Sequence, residues 1–199
     1  GASAGGPAAV ATILSGLPTA GFGAYVLALV LKVSVPSFWA AILITLVAST
    51  VVGAVAGVIA IRARGVYFAL ITFGMAEVVS KIVFNTRELG GSDGIIGIPV
   101  VDVNFLAFSV NSANAPAFFL LVLALVMGLY FLLEALLQTP FGRLMVATRF
   151  NENRVPFLGF SAQRVKLMAF ILGSNAVAFC GALYPMLRGF VSTELMFFH

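Results

Sequence analysis

Charge is what this sequence has least of. Only 9% of its 199 residues are Asp, Glu, Lys or Arg, against 61% hydrophobic, and the mean hydropathy is +1.12. A soluble domain carries about 25% charged residues. A chain this poor in charge cannot cover a water-facing surface, so most of it must be solvated by something apolar. Histidine is nearly absent. The only one is the terminal His199, which excludes Ser-His and Cys-His nucleophilic pairs. The single cysteine, Cys180, excludes an internal disulfide, and its apolar surroundings make it read as a small buried hydrophobe. No Gly-x-x-x-x-Gly-Lys-Ser/Thr loop exists to cradle ATP. No Cys/His ligand spacing suggests a metal. The expectation is therefore no enzyme, no metal and no cofactor. The net charge of +4 does not mark a nucleic-acid binder, because the basic residues flank apolar runs and form no solvated patch.

What is present is long apolar runs. At about 20 residues per crossing and loops between, this length allows roughly five to seven spans. Five are visible, near 8–31, 38–61, 66–84, 116–133 and 167–187. The expected fold is an all-α polytopic transmembrane helix bundle forming a single domain over 1–199. The first run is interrupted by Gly16, Pro18, Gly21 and Gly23, a break that lipid could not satisfy. The fourth stops at Glu134. A start at Gly1 instead of methionine points to processing or to a fragment. Trp39 and Tyr130 suit the membrane interfaces.

The charges orient the spans. Arg62 and Arg64 follow the second span. The stretch 139–166 holds Arg143, Arg149, Arg154, Arg164 and Lys166 against Glu152 alone, a net of +4. The stretch 85–115 holds Arg87 against Glu88, Asp93 and Asp102, a net of −2. One span separates each basic segment from the acidic loop. The positive-inside rule therefore puts loops 62–65 and 139–166 in the cytoplasm and loop 85–115 outside. Lys32 is the one discordant charge.

Three segments can carry function. Glu77 and Lys81 stand i, i+4 on one helix face inside a span, either as an intramembrane relay or as a pair snorkelling to the interface. Thr72 lies roughly 140° round the helix from Glu77 at 100° per residue. Gly90-Gly91-Ser92-Asp93-Gly94-Ile95-Ile96-Gly97-Ile98-Pro99 requires positive φ at several positions. It reads as an outer gate or docking surface, or as an ordinary tight external loop. In the basic loop, 143–153 suits a short amphipathic helix with Leu144, Val146 and Ala147 inward and Arg143, Arg149 and Glu152 outward. It reads as a grip for a partner protein or as a loop that sets topology. In the second span, Gly53, Ala54, Ala56 and Gly57 suit close helix packing.

Three motifs in order resemble one family. Arg62-Ala63-Arg64-Gly65-Val66-Tyr67-Phe68-Ala69-Leu70-Ile71-Thr72 is similar to a segment of ABC importer permeases for branched-chain amino acids (LivM type). The Gly90 to Pro99 stretch is similar to the Gly-rich loop that follows there. Phe141-Gly142-Arg143, Ala147 to Glu152, Leu158-Gly159, Lys166 to Phe170 and Gly181 to Tyr184 resemble its cytoplasmic coupling loop and next span. Gly21, Gly23, Ala24 and Tyr25 match near the N-terminus. The chain departs from the pattern at Phe150, where an acidic residue is usual, and at Pro156, which interrupts any helix.

The resemblance implies a transport subunit of a bacterial or archaeal inner membrane. It implies a second permease subunit, two cytoplasmic ATPase subunits and an external substrate-binding protein as partners. On that basis Gly142, Arg143, Ala147, Arg149, Asn151, Glu152 and Gly159 belong to the ATPase-coupling loop. Gly90, Gly91, Asp93, Gly94, Gly97 and Pro99 belong to the external loop, and Tyr25, Thr72 and Glu77 to the translocation path. The alternative reading is an ion-coupled carrier or a passive channel for a small polar solute. The family also continues for several spans beyond the position of His199.

Overall fold

The computed structural model describes residues 20–32, 37–63, 66–86, 94–98, 102–104, 109–111 and 115–191. The stretch 8–19, Arg64, Gly90, Gly91, Asp93 and Pro99 lie outside the described residues. Among the described residues six α-helices carry the fold: α1 (Ala20–Lys32), α2 (Phe38–Ala60), α3 (Val66–Asn85), α4 (Ala115–Gln138), α5 (Pro140–Phe150) and α6 (Ala162–Arg188). A 3-10 helix (Glu152–Leu158) links α5 to α6. Among the described residues, α2, α4 and α6 are long and apolar enough to cross a membrane. α3 spans 20 residues and contains Glu77 and Lys81, and α1 is a shorter apolar helix over the described residues 20–32.

The bundle is held by glycine-mediated contact. α2 and α6 run antiparallel and form an extensive interface. A Cβ on Gly53 would lie 3.2 Å from Ser174 Cβ, and one on Gly57 would lie 2.8 Å from Leu167 Cδ1. Small residues let the two backbones close, as expected where lipid gives helices no hydrophobic reason to associate. A polar clasp joins the same pair: Asn175 Nδ2 donates to Thr50 Oγ1 at 2.8 Å, and Thr50 donates to Leu46 O at 2.8 Å. α1 packs on α6 more tightly still. A Cβ on Gly181 would run into the Ala20 carbonyl, and one on Gly23 into the Ala178 backbone. Gly21 and Gly23 therefore do not break α1. They lie within a continuous helix, and Gly23 is a packing position.

Two further expectations are corrected. Cys180 is exposed on α6 instead of buried, because an apolar residue in a span can turn to lipid as readily as to protein. α4 does not stop at Glu134 but runs on to Gln138, since one exposed carboxylate near a helix end does not terminate it.

The two ends of the bundle differ. At one, β1 (Ile95–Ile96) pairs antiparallel with β4 (Phe190–Val191), beside a second ribbon of β2 (Asp102–Asn104) and β3 (Ser109–Asn111). The required positive φ occurs at Gly94 (74°) and Gly97 (76°). Val103 is buried here in a core with Leu27, Phe38, Phe118 and Leu183. At the other end lie Arg62, α5, the 3-10 helix and the start of α6, with Arg143, Arg149, Arg154, Arg164 and Lys166. This is the basic end.

Candidate functional site

A cavity of about 250 Å³ opens at mid-height between α2, α3 and α6, with Phe22 of α1 at its edge. Its depth follows from its lining: Ser49 and Val52 lie near the middle of α2, Thr72 and Ala76 near the middle of α3, and Ser174 midway along α6. None of the described lining residues is charged. The polar ones are the hydroxyls of Ser49, Thr72, Ser80 and Ser174; Ser49 Oγ donates to Ser174 O at 3.4 Å, and Thr72 Oγ1 donates to Phe68 O at 2.9 Å. Towards the basic end, Phe170 lines the cavity and meets Phe68 edge-on, with centroids 6.2 Å apart and planes at 90°.

The three residues expected on the translocation path are not gathered here. Thr72 lines the cavity. Glu77 does not line it, and lies 3.6 Å from Lys81 Nζ, whose side chain is well exposed. Tyr25 is 3% exposed in a separate cluster with Ala24, Ala28, Ile95 and Val191. Its hydroxyl has no hydrogen-bond partner among the described residues.

At the basic end, local chemistry sets the α4–α5 turn. Thr139 caps α5, accepting from Gly142 N at 3.2 Å, and Pro140 takes the first helical position, where its missing N–H costs nothing. Gly142 is buried against α4, where a Cβ would strike Leu136 O and the Leu137 backbone. This phase overturns the expected faces of α5. The helix begins at Pro140 and ends at Phe150, and its buried residues are Gly142 and Thr148. Leu144 is half-buried, but Val146 and Ala147 point outward with Arg143 and Arg149. Apolarity did not choose the inward face; the cap and the glycine contact did.

Asn151 ends α5 in an extended conformation and its Oδ1 accepts from Asn153 N at 3.2 Å. Pro156 then sits inside a 3-10 helix instead of an α-helix, anchored by buried Val155 and closed by Gly159 at φ 79°. Glu152 does not face outward as expected. It is half-buried, and Lys166 Nζ lies 2.5 Å from its Oε2. The residues that do project were missed. Phe157 is 89% exposed and Phe150 83%, beside exposed Leu158 and Phe160. Their signal was available in the sequence, since Phe150 is the position that departs from the family's usual acidic residue.

An apolar helix bundle with long membrane-competent helices and a folded basic end is the architecture of a multi-pass membrane protein. The chain belongs to the family described as branched-chain amino acid transport system / permease component, whose family model matches residues 16–198. It is 31% identical over 207 residues to the high-affinity branched-chain amino acid transport system permease protein LivM of Escherichia coli (strain K12), covering 91% of this chain and 49% of that protein. It is 29% identical over 179 residues to the probable branched-chain amino acid transport permease protein LivM of Methanocaldococcus jannaschii, covering 89% of this chain and 47% of that one. The chain thus spans about half the length of the curated relatives it matches. No solved structure matches it.

Proposed function

We infer that this chain is membrane-spanning permease material of an ATP-driven importer for branched-chain or related small amino acids. The observation that carries the reading is the family match over 16–198. Substrate crosses by alternating access, and partner subunits hydrolyse the ATP. The partners are a second permease subunit, two cytoplasmic ATPases and an external binding protein, all in a bacterial or archaeal inner membrane. The basic end faces the cytoplasm, in line with the positive-inside rule. Its α5 and 3-10 segment, 139–166, form the seat for an ATPase. Gly142 and Gly159 shape that seat, and Arg143, Ala147, Arg149, Asn151 and Glu152 build it. The opposite end, 85–115 with Gly90, Gly91, Asp93, Gly94, Gly97 and Pro99, receives the binding protein.

The carrier alternative needs a proton or ion relay through Glu77. Its partner Lys81 is an exposed neighbour on the same helix, and Glu77 lies off the cavity lining, so the geometry favours the ATP-driven reading. The test is reconstitution with its ATPases and binding protein in liposomes. Leucine uptake should require both ATP and the binding protein. Uptake that persists without ATP overturns this function in favour of a carrier or channel.

A further inference from the structure

The mid-height cavity has a wall chemistry that specifies its occupant. We propose that it is the subsite for the branched aliphatic side chain of the transported amino acid, with the substrate's ammonium and carboxylate held outside its mouth. The inference rests on the importer reading above and adds where the apolar end of the substrate sits.

Four observations lead there. The described lining carries no charge, and the Ser49 and Thr72 hydroxyls already turn to the Ser174 and Phe68 carbonyls. A zwitterion wholly inside would lose its hydration and find no charged partner among the described lining residues, only a few hydroxyls. An aliphatic group loses nothing and gains burial. The volume fits as well. An engineered apolar cavity of about 150 Å³ stays dry and takes a six-carbon ring, so about 250 Å³ admits a leucine-sized side chain together with its Cα. The depth fits too, since the lining lies at the middle of α2, α3 and α6, the level at which secondary transporters hold their substrates. Finally, the edge-on Phe68–Phe170 pair lies on the basic-end side, so an occupant entering from the far end would come to rest against it.

The wall also predicts selectivity. Each methylene moved from water into such a site contributes roughly 4-fold in affinity, equivalent to about 0.8 kcal/mol. Leucine and isoleucine should therefore outcompete alanine by more than 10-fold, and lysine should not compete.

The test uses the complete importer in lipid nanodiscs with a diazirine analogue of leucine. On illumination, label should appear on the α2 or α3 peptides containing Val52 or Met75 and Ala76, and excess leucine should suppress it where alanine and lysine do not. Ala76→Phe, which fills the cavity, should lower leucine uptake at least 10-fold. Val52→Thr keeps the shape but adds a hydroxyl; it should raise KM for leucine several-fold with kcat held, which a folding defect would not do. Gly128→Ala, whose Cβ meets open space on α4, is the control. If the wild type imports leucine and both cavity variants import it unchanged, the subsite assignment falls and the importer reading stands. Label that only excess lipid displaces makes the cavity an acyl-chain groove and also overturns the assignment. A wild type that neither binds nor imports any aliphatic amino acid overturns the substrate reading itself.

Discussion

Lys166 and Glu152 stand 14 residues apart in the chain and meet at 2.5 Å, tying the 3-10 helix to the first turns of α6. Each side chain is only about one-third exposed, so the pair is partly shielded from water. It links the basic loop to α6, and α6 lines the cavity through Phe170 and Ser174. Sequence alone put Glu152 outward, towards a partner. The pairing turns it instead to Lys166 of its own chain, as a strut within the segment proposed as the ATPase seat.

The strut is testable by charge exchange. Glu152→Lys alone places like charges together. It should raise the ATP hydrolysed per leucine imported several-fold in the reconstituted importer while leaving membrane insertion intact. Glu152→Lys combined with Lys166→Glu should restore most of the coupling. A partly exposed pair contributes about 0.5–1 kcal/mol to stability, so the single variant should still fold. A double variant no better coupled than the single one would show that Glu152 acts on a partner after all.

Phe150 and Phe157 make the second prediction. Two nearly fully exposed phenyl rings among the charges of the basic end are unfavourable in water unless something covers them, and buried aromatics typically dominate interface energetics. Phe157→Ser or Phe150→Ser should weaken ATPase association with the purified permease by roughly 10-fold, at about 1–2 kcal/mol per anchor. Arg149→Ala, lying at the rim of the same surface, should change affinity less and shift its salt dependence. Surface-immobilised permease titrated with ATPase would measure both. Equal affinity across the phenylalanine variants would remove these rings from the interface.

Gly97 offers a prediction at the far end. It sits at φ 76° with nothing near its missing side chain, so Gly97→Ala adds backbone strain and no clash. A left-handed conformation costs a non-glycine residue about 1–2 kcal/mol. The strained turn follows β1, and Ile98 N donates to Gly189 O at 3.4 Å. Amide exchange at Ile95, Ile98 and Val191 should therefore rise together by about 5-fold or more. A rise confined to 97–98 would mean that the β1–β4 ribbon does not hold the loop to α6.

The sequence made the membrane legible, and the reason is physical. A span of about 20 apolar residues is a requirement imposed by the bilayer, so α2, α4 and α6 announce themselves. Lipid is equally apolar on all sides of a helix, however, so hydropathy cannot tell which face meets protein. That is why Cys180 reads as buried and is exposed, and why Gly23 reads as part of a break and is a contact. In α5 the same blindness hid the true inward face, because Thr139 and Gly142 fix the helix phase through a cap and a backbone contact. Helical spacing alone puts Thr72 and Glu77 on different faces, but which of them meets the cavity, like Glu152's partner, needed the fold.

The closest helix contact gives the last prediction. Gly181 and Gly23 face opposite backbones, Ala20 on α1 and Ala178 on α6. A backbone atom cannot rotate aside as a side chain can, so Gly181→Ala forces α1 off α6. Overpacking of this kind costs about 1–3 kcal/mol, and it acts beside the cluster that holds Tyr25. Gly181→Ala and Gly23→Ala should each lower the apparent Tm in detergent by several degrees, and the double variant should fall short of the sum because the two share one interface. Gly173→Ala, on the same α6 but with open space around its Cβ, should leave Tm unchanged. If all three variants melt alike, α1 is not seated on α6 through these glycines.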